Sequence, residues 1–193
     1  MRVGVLGMQG AFVEHVNALE KLKVQAEIVK HEKELDEIHG LIIPGGESTS
    51  IGKLLDASNL KEKLKSKIIE GLPVWGTCAG MIVIARKIKN TNKTYIPLMD
   101  IEVIRNGYGR QLASFITNET MKGIENGGFP MVFIRAPYID GVGKNVNILA
   151  KVDGRIVAAR EKNMMVTSFH PELSEDLRIH KYFLRIIKDK YDC

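Results

Sequence analysis

Cys78 lies at the centre of the segment Gly76-Thr77-Cys78-Ala79-Gly80, which carries the strongest chemical signal in the sequence. The segment stands between an apolar run typical of a strand and a second apolar run typical of a helix, the context that a nucleophile elbow requires. Small residues two positions to either side permit a sharp turn that exposes the nucleophile, and the following helix N-terminus favours a thiolate. A buried structural cysteine beside a packing glycine is the alternative, but the five-residue context favours a nucleophile. Cys193, the last residue, is expected to have no role.

A thiolate that attacks a carbonyl carbon needs a base and a group that orients the base. His170 is the favoured base, because it follows a predicted strand and begins His170-Pro171-Glu172. Open α/β sheets place reactive groups at the carboxyl ends of strands, and Glu172 can accept the second imidazole N–H. Taken alone, His170-Pro171-Glu172 is explained equally well as the start of a helix, with Glu172 as an ordinary acid of the first turn. The remaining histidines are expected at the surface: His15, His31, His39 and His180.

Two adjacent glycines, Gly45 and Gly46, open a polar segment that follows a predicted strand. Adjacent glycines allow backbone N–H groups to converge on an oxyanion. The alternative is a simple turn followed by a Ser/Thr helix cap. A phosphate-binding P-loop is excluded, since it would need glycine at position 47 and Ser or Thr at position 54, where the sequence has Glu47 and Leu54.

The predicted elements explain how these residues are brought together. Strands at 2–6, 25–29, 41–43 and 73–77 alternate with helices at 12–22, 60–70 and 79–87, which predicts a parallel sheet covered by helices on both faces. Later strands are predicted at 99–104, 111–116, 130–134, 146–151, 155–161 and 164–169, with a hairpin turn at Asp153-Gly154 and a last helix at 176–190. The sequence therefore predicts one α/β domain over residues 1–193, with antiparallel strands added in its second half.

Composition excludes several other classes of protein. The chain has 193 residues, of which 45% are apolar and 26% charged, and a net charge of +5, so neither a disordered nor a fibrous protein is expected. No apolar run approaches the roughly 18 residues of a membrane helix. The basic residues are interleaved with acids and aromatic residues make up 6%, which argues against nucleic-acid binding. Two cysteines favour a reduced, cytoplasmic setting, and no His/Cys cluster has metal-ligand spacing.

Longer segments resemble the class I, triad-type glutamine amidotransferases, and within them the branch that serves pyridoxal 5′-phosphate synthesis. Many amidotransferases share the elbow and the His-Pro-Glu sequence. Three segments point to this branch: Pro-Gly-Gly-Glu-Ser-Thr at 44–49, Arg-Asn-Gly-Tyr-Gly-Arg-Gln at 105–111 and Phe-Ile-Arg-Ala-Pro at 133–137. Together with 6–11, 76–81 and 170–173, they span nearly the whole chain in the family's order.

The resemblance implies a flavodoxin-like three-layer sandwich and a glutaminase that needs no cofactor and no metal. Cys78, His170 and Glu172 would form the catalytic triad, with the backbone N–H groups of Gly46 and Ala79 as oxyanion donors. Ammonia would pass to a separate synthase subunit, which makes pyridoxal 5′-phosphate in a hetero-oligomeric complex. Gln9 and Gly10 are expected to belong to a switch that docking of this partner operates. The family's glutamine-binding positions correspond to Gly46, Glu47, Ser48, Arg105, Ile134 and Arg135.

Three alternatives remain at this point. A cysteine hydrolase of the PfpI type also carries a cysteine elbow on a flavodoxin-like sheet, but Glu172 and the Gly-Gly-Glu-Ser loop favour a glutaminase. A second amidotransferase, serving histidine or purine synthesis, would differ mainly in its partner. A binding module without enzymatic activity would lose nothing when Cys78 is replaced by alanine.

Overall fold

The computed structural model describes residues 1–108 and 114–191, in which strands and helices alternate at first and strands predominate later. The first part contains β1 (Arg2–Leu6), α1 (Phe12–Lys21), β2 (Gln25–Val29), β3 (Gly40–Ile43), α2 (Ser48–Ala57), α3 (Leu60–Ile69), β4 (Val74–Thr77) and α4 (Ala79–Ile84). The second part contains β5 (Ala85–Ile88), β6 (Met99–Ile104), β7 (Ser114–Glu119), β8 (Phe129–Ile134), β9 (Tyr138–Val142), β10 (Asn147–Val152), β11 (Arg155–Glu161), β12 (Met164–Thr167) and α5 (Arg178–Tyr191). Short 3₁₀ helices lie at Glu32–Asp36 and Pro171–Leu173.

One large sheet organises the molecule, with strand order β2-β1-β3-β4-β12-β11-β9-β6-β5 and β10 paired to β11. The pairs from β2 to β12 are parallel, whereas β11 pairs antiparallel with β12, β10 and β9. A separate hairpin joins β7 to β8. Because β1, β3, β4 and β12 run in one direction, the loops that follow them meet at one edge of the sheet.

Two apolar cores cover opposite faces of this sheet. Successive residues of β3 alternate between them: Leu41 and Ile43 pack with α2, α3 and α4, whereas Ile42 packs with α1 and α5. Such alternation follows from the two-residue period of a strand. The resulting three layers agree with the predicted α/β class, a mostly parallel sheet with antiparallel strands in the second half, which is confirmed.

Several element predictions were wrong in detail. The helix predicted at 79–87 ends at Ile84, and Ala85–Ile88 forms the edge strand β5 beside β6. Helix α2 and strand β9 were not predicted, although the Asp153-Gly154 turn was, and both of its residues have the positive φ of a tight hairpin. The strand predicted at 111–116 begins outside the described residues, and β7 itself is Ser114–Glu119. Cys193 also lies outside the described residues.

The surface positions predicted for His15 and His180 were also wrong, since both side chains are fully buried. Helix α1 turns His15, Ala18 and Leu19 towards the sheet and leaves Val13 49% exposed. His180 lies on the stripe of α5 that also buries Phe183 and Ile187. The helical spacing of each histidine from the buried apolar residues of its helix could have indicated that His15 and His180 are buried. His31 is exposed as predicted, and His39 is half-buried.

Candidate active site

Cys78 occupies a strained turn between β4 and α4, with φ 47° and ψ −101°. Its backbone N–H donates to the carbonyl of Thr167 at 2.8 Å, which joins the turn to β12. The glycines of the motif are needed for space: a Cβ on Gly76 would lie 2.6 Å from the backbone of Gly80, and one on Gly80 would lie 2.0 Å from the carbonyl oxygen of Ile43. The sequence therefore folds into the elbow that its spacing predicts.

His170 reaches Cys78 from the end of β12. Its Nδ1 lies 2.7 Å from Oε1 of Glu172, and its backbone N–H donates to Val132 at 2.8 Å. The side chain of Cys78 lies close enough to this imidazole to raise its pKa. A Cβ on Gly45 would lie 2.4 Å from Cε1 of His170 and 3.4 Å from Cβ of Cys78, so only glycine at this position lets the two side chains meet against the loop. Cys, His and Glu are thus linked in the order that an acyl-transfer triad requires.

The environment of His170 favours its protonated form. Burial by itself lowers the pKa of His170, but the hydrogen bonds and charges of Cys78 and Glu172 raise it to about 10. Since the imidazole is then positively charged at neutral pH, it stabilises a thiolate at Cys78 electrostatically. The same cation can later give its proton to a leaving amine.

A cleft of about 460 Å³ opens over Cys78. It brings together segments that are far apart in the sequence, and Glu172 lies behind His170, outside the wall. The predicted residues that line the cleft are Gln9, Gly10, Gly46, Glu47, Ser48, Cys78, Ala79, Arg105, Ile134, Arg135 and His170. Asn106 and Leu173, which the sequence analysis did not assign, line it as well.

Glu47 shapes one wall of the cleft. Its carboxylate caps α2 by accepting the backbone N–H groups of Thr49 at 2.9 Å and Ser50 at 2.7 Å. Burial by itself raises the pKa of Glu47, and these hydrogen bonds outweigh it and lower the pKa to about 2. The Nη2 atom of Arg105 lies 3.6 Å from Oε1 of Glu47, so the two charged groups face each other at the cleft mouth.

The loop after β1 is fastened to the Gly45-Gly46 loop. The Gln9 side-chain oxygen accepts the backbone N–H of Glu47 at 2.7 Å, and the N–H of Ala11 donates to the carbonyl of Gly45 at 3.1 Å. Any reorientation of the peptide at Gly46 must therefore disturb one or both of these bonds.

Comparison with known proteins assigns the family. Residues 5–189 match the profile of the SNO glutamine amidotransferase family. The chain belongs to this family. The resemblance found in the sequence is thereby confirmed, and an amidotransferase is favoured over a PfpI-type hydrolase.

Two relatives of this SNO-family chain match it over nearly its full length. It is 52% identical over 187 residues to the pyridoxal 5′-phosphate synthase subunit PdxT of Ruminiclostridium cellulolyticum, which covers 96% of this chain and 99% of the relative. It is 54% identical over 192 residues to the protein of the same name from Clostridium botulinum, covering 98% and 100%. A crystal structure of a glutamine amidotransferase superposes with a TM-score of 0.92 at 40% identity and covers 96% of this chain and 98% of that one.

Two features are absent from the described part of this SNO amidotransferase. Within residues 1–108 and 114–191, no helix is both long and apolar enough to span a bilayer. The same residues contain no group of three or more His, Cys, Asp or Glu side chains arranged to hold a metal ion.

Proposed function

We propose that this chain hydrolyses glutamine to glutamate and ammonia through a thioester on Cys78, and that it supplies the ammonia to a separate pyridoxal 5′-phosphate synthase subunit. The observation that carries the proposal is the alignment of Cys78, His170 and Glu172 at the base of an open cleft, with His170 hydrogen-bonded to Glu172 at 2.7 Å and next to Cys78. The family match and the relatives named as synthase subunits support the reaction and the partner. The two cores on one sheet support a single glutaminase domain over residues 1–193, and the cysteine content supports a cytoplasmic location.

The reaction follows from the charges at the site. The Cys78 thiolate attacks the side-chain amide carbon of glutamine, and the backbone N–H groups of Gly46 and Ala79 stabilise the resulting oxyanion. His170 donates its proton to the amine as the C–N bond breaks, so that ammonia leaves and a thioester remains. The neutral imidazole then takes a proton from water, and the hydroxide releases glutamate and restores the thiolate. Glu172 holds the imidazole in orientation throughout.

Charged residues in the cleft wall are suited to the amino-acid end of glutamine. Arg135 and Arg105 can bind the α-carboxylate, to which a guanidinium donates two parallel hydrogen bonds. Glu47 is ionised over the whole physiological range and faces the same space, so its charge favours the α-ammonium. Gly46, Ser48 and Ile134 complete the predicted substrate contacts.

We further propose that docking of the synthase activates the site through the loop that contains Gln9 and Gly10. That loop is bonded to Gly45 and Glu47 on either side of Gly46. A partner that displaces it would turn the Gly46 peptide relative to Cys78. One oxyanion donor gained in this way changes kcat by about 10²–10³, which is enough for a switch without movement of the triad.

A glutaminase assay with and without the synthase subunit tests this function. Wild type should release glutamate and ammonia, faster with the partner, and a diazo-ketone analogue of glutamine should label Cys78. Cys78→Ala should lose both activity and label, whereas the matched variant Cys193→Ala should keep both. Glutamine hydrolysis that survives Cys78→Ala would contradict the mechanism.

A further inference from the structure

Only one carboxylate oxygen of Glu172 is used by His170. The other, Oε2, is buried and has no well-formed hydrogen bond. The polar atom opposite it is Nε2 of His15, at 3.4 Å, and both side chains are completely inaccessible to water. The same Nε2 lies 3.4 Å from Oγ1 of Thr77, the residue that precedes the nucleophile. His15 therefore stands between the elbow and the carboxylate that orients the base, although it is outside the cleft.

A second buried histidine stands behind the first. Nε2 of His180 lies 3.1 Å from Nδ1 of His15, and Nδ1 of His180 has no partner. The indole of Trp75 packs against both rings at nearly right angles, with centroid distances of 5.5 Å to His15 and 5.1 Å to His180. Both rings are thus held in place by packing as well as by the contact between them.

The acceptor character of Glu172 determines the tautomers of this pair. An ionised carboxylate only accepts hydrogen bonds, so His15 must present its Nε2–H to it, and Nδ1 of His15 is then an acceptor. His180 must accordingly donate its own Nε2–H to His15. This leaves a bare nitrogen at Nδ1 of His180, the one atom of the pair that has no partner. In this arrangement His180 donates to His15, and the Nε2–H of His15 faces two oxygen atoms that can accept it, Oε2 of Glu172 and Oγ1 of Thr77.

Burial keeps both imidazoles uncharged. It lowers the pKa of His180 to about 4, and burial followed by the charges of His180 and His170 lowers the pKa of His15 well below its usual value. The His15–His180 pair is therefore uncharged, so Glu172 faces a neutral imidazole N–H and not a second cation. The negative charge of Glu172 remains available to the protonated His170.

We propose that His15, held in its Nε2–H tautomer by His180, is a positioning residue that fixes the carboxylate of Glu172 and through it the imidazole of His170. The inference rests on the proposed glutaminase function and involves no proton transfer by His15.

The first test compares two replacements of His15 in the complex with the synthase subunit. His15→Phe fills the space but donates no hydrogen bond. It should lower kcat about tenfold with KM unchanged, a loss at the smaller end of that seen for outer-shell partners of metal-bound histidines. His15→Gln carries an amide nitrogen close to the position of Nε2 and should recover most of the loss. Full kcat in a folded His15→Phe variant, or equal losses in both, would overturn the proposal.

The second test needs no activity. Nitrogen-15 NMR of the imidazoles in the wild-type chain should show His15 and His180 neutral and protonated at Nε2 from about pH 6 to pH 8. His180→Phe should shift the His15 signals, because His15 loses the N–H that its Nδ1 accepts. Protonation of His15 at Nδ1 would contradict the inference, even if the variants were too unstable to assay.

The two proposals fail in different ways. A wild-type complex without glutaminase activity contradicts the proposed function, whatever the tautomers are. An active wild type that depends on Cys78 but is indifferent to His15→Phe leaves the function intact and removes the positioning role.

Discussion

At the scale of single residues, the cleft contains three of the nine described non-glycine residues that have a positive φ. Cys78, Asn106 and Arg135 all line it with positive φ values of 47°, 50° and 44°, although none is glycine. Asparagine tolerates a positive φ, whereas it costs arginine of the order of 1–2 kcal/mol. Cys78, with ψ −101°, lies outside the left-handed helical region, at a cost of about 1–3 kcal/mol. Such strain persists where the surrounding structure holds a side chain in a required place. At Cys78 that place is opposite His170, and at Arg135 it is the wall of the cleft over Cys78.

We expect Arg135→Ala to raise the KM for glutamine roughly tenfold to a hundredfold, because a charge-assisted hydrogen bond is worth about 1.5–3 kcal/mol. The value of kcat should change little, since binding of glutamine and of the transition state are weakened together. Steady-state kinetics in the presence of the partner measure both.

Two companion variants control for backbone and charge. Arg135→Gly should match Arg135→Ala in KM but be about 1 kcal/mol more stable to urea, because glycine relieves the positive φ. Arg86→Ala removes an exposed arginine that pairs with Asp100 at 2.9 Å, outside the cleft, and should leave KM unchanged. An unaltered KM in Arg135→Ala would return this residue to a structural role.

At the scale of elements, the site depends on loops that bond to each other and not only to their own strands. Gln9 follows β1 and Glu47 follows β3, yet the side chain of the first accepts the backbone N–H of the second at 2.7 Å. Glu47 also caps α2, so the Gly45-Gly46 loop is tied at one end to a helix and at the other to the β1 loop.

Gln9→Ala should abolish the partner-dependent rise in kcat, which is expected to be about 10²–10³ for one oxyanion donor. The reason is that the amide oxygen is the connection through which a displaced β1 loop would act on Gly46. Titration of the partner at saturating glutamine measures the rise. Gln25→Ala, an exposed glutamine on the edge strand β2, serves as the matched control, and a full rise in Gln9→Ala would place the switch elsewhere.

At the scale of the whole molecule, three buried histidines make stability depend on pH in opposite directions. The pKa of His180 falls to about 4 on folding, so between the usual value near 6.5 and 4 the unfolded chain binds more protons than the folded chain. The pKa of His15 is lowered as well. His170 behaves in the opposite way, because its pKa rises to about 10 and its contribution is complete below about 6.5 and lost as the pH rises through 10.

The free energy of unfolding should therefore decline as the pH falls from about 6.5 to 4, by up to about 1.4 kcal/mol per pH unit for each lowered histidine. Urea unfolding at a series of pH values measures this slope. His180→Phe should flatten the acid side and leave the alkaline side unchanged, because phenylalanine can pack against Trp75 and Phe183 but does not titrate. Phenylalanine at the exposed His31 is the control, and an identical slope in both variants would contradict this account.

The chemistry of the site could be predicted from the sequence because its strongest signals are local. The elbow of Cys78 is determined within five residues by glycines whose Cβ atoms would collide, and His170 and Glu172 meet across two positions in one 3₁₀ turn. The alternation of strands and helices gave the parallel sheet for the same reason, since periodicity is a property of neighbouring residues.

Only the tertiary structure decided what depends on distant segments. Strand β5 forms where the end of a helix was predicted, because pairing with β6 stabilises an extended backbone there. The apolar residues next to β5 in the sequence give no signal of that pairing. His15 and His180 are 165 positions apart, and their contact exists because α1 and α5 cover the same face of the sheet. Whether a histidine on a helix faces water or a carboxylate is set by what packs against that helix, and that is a property of the assembled chain.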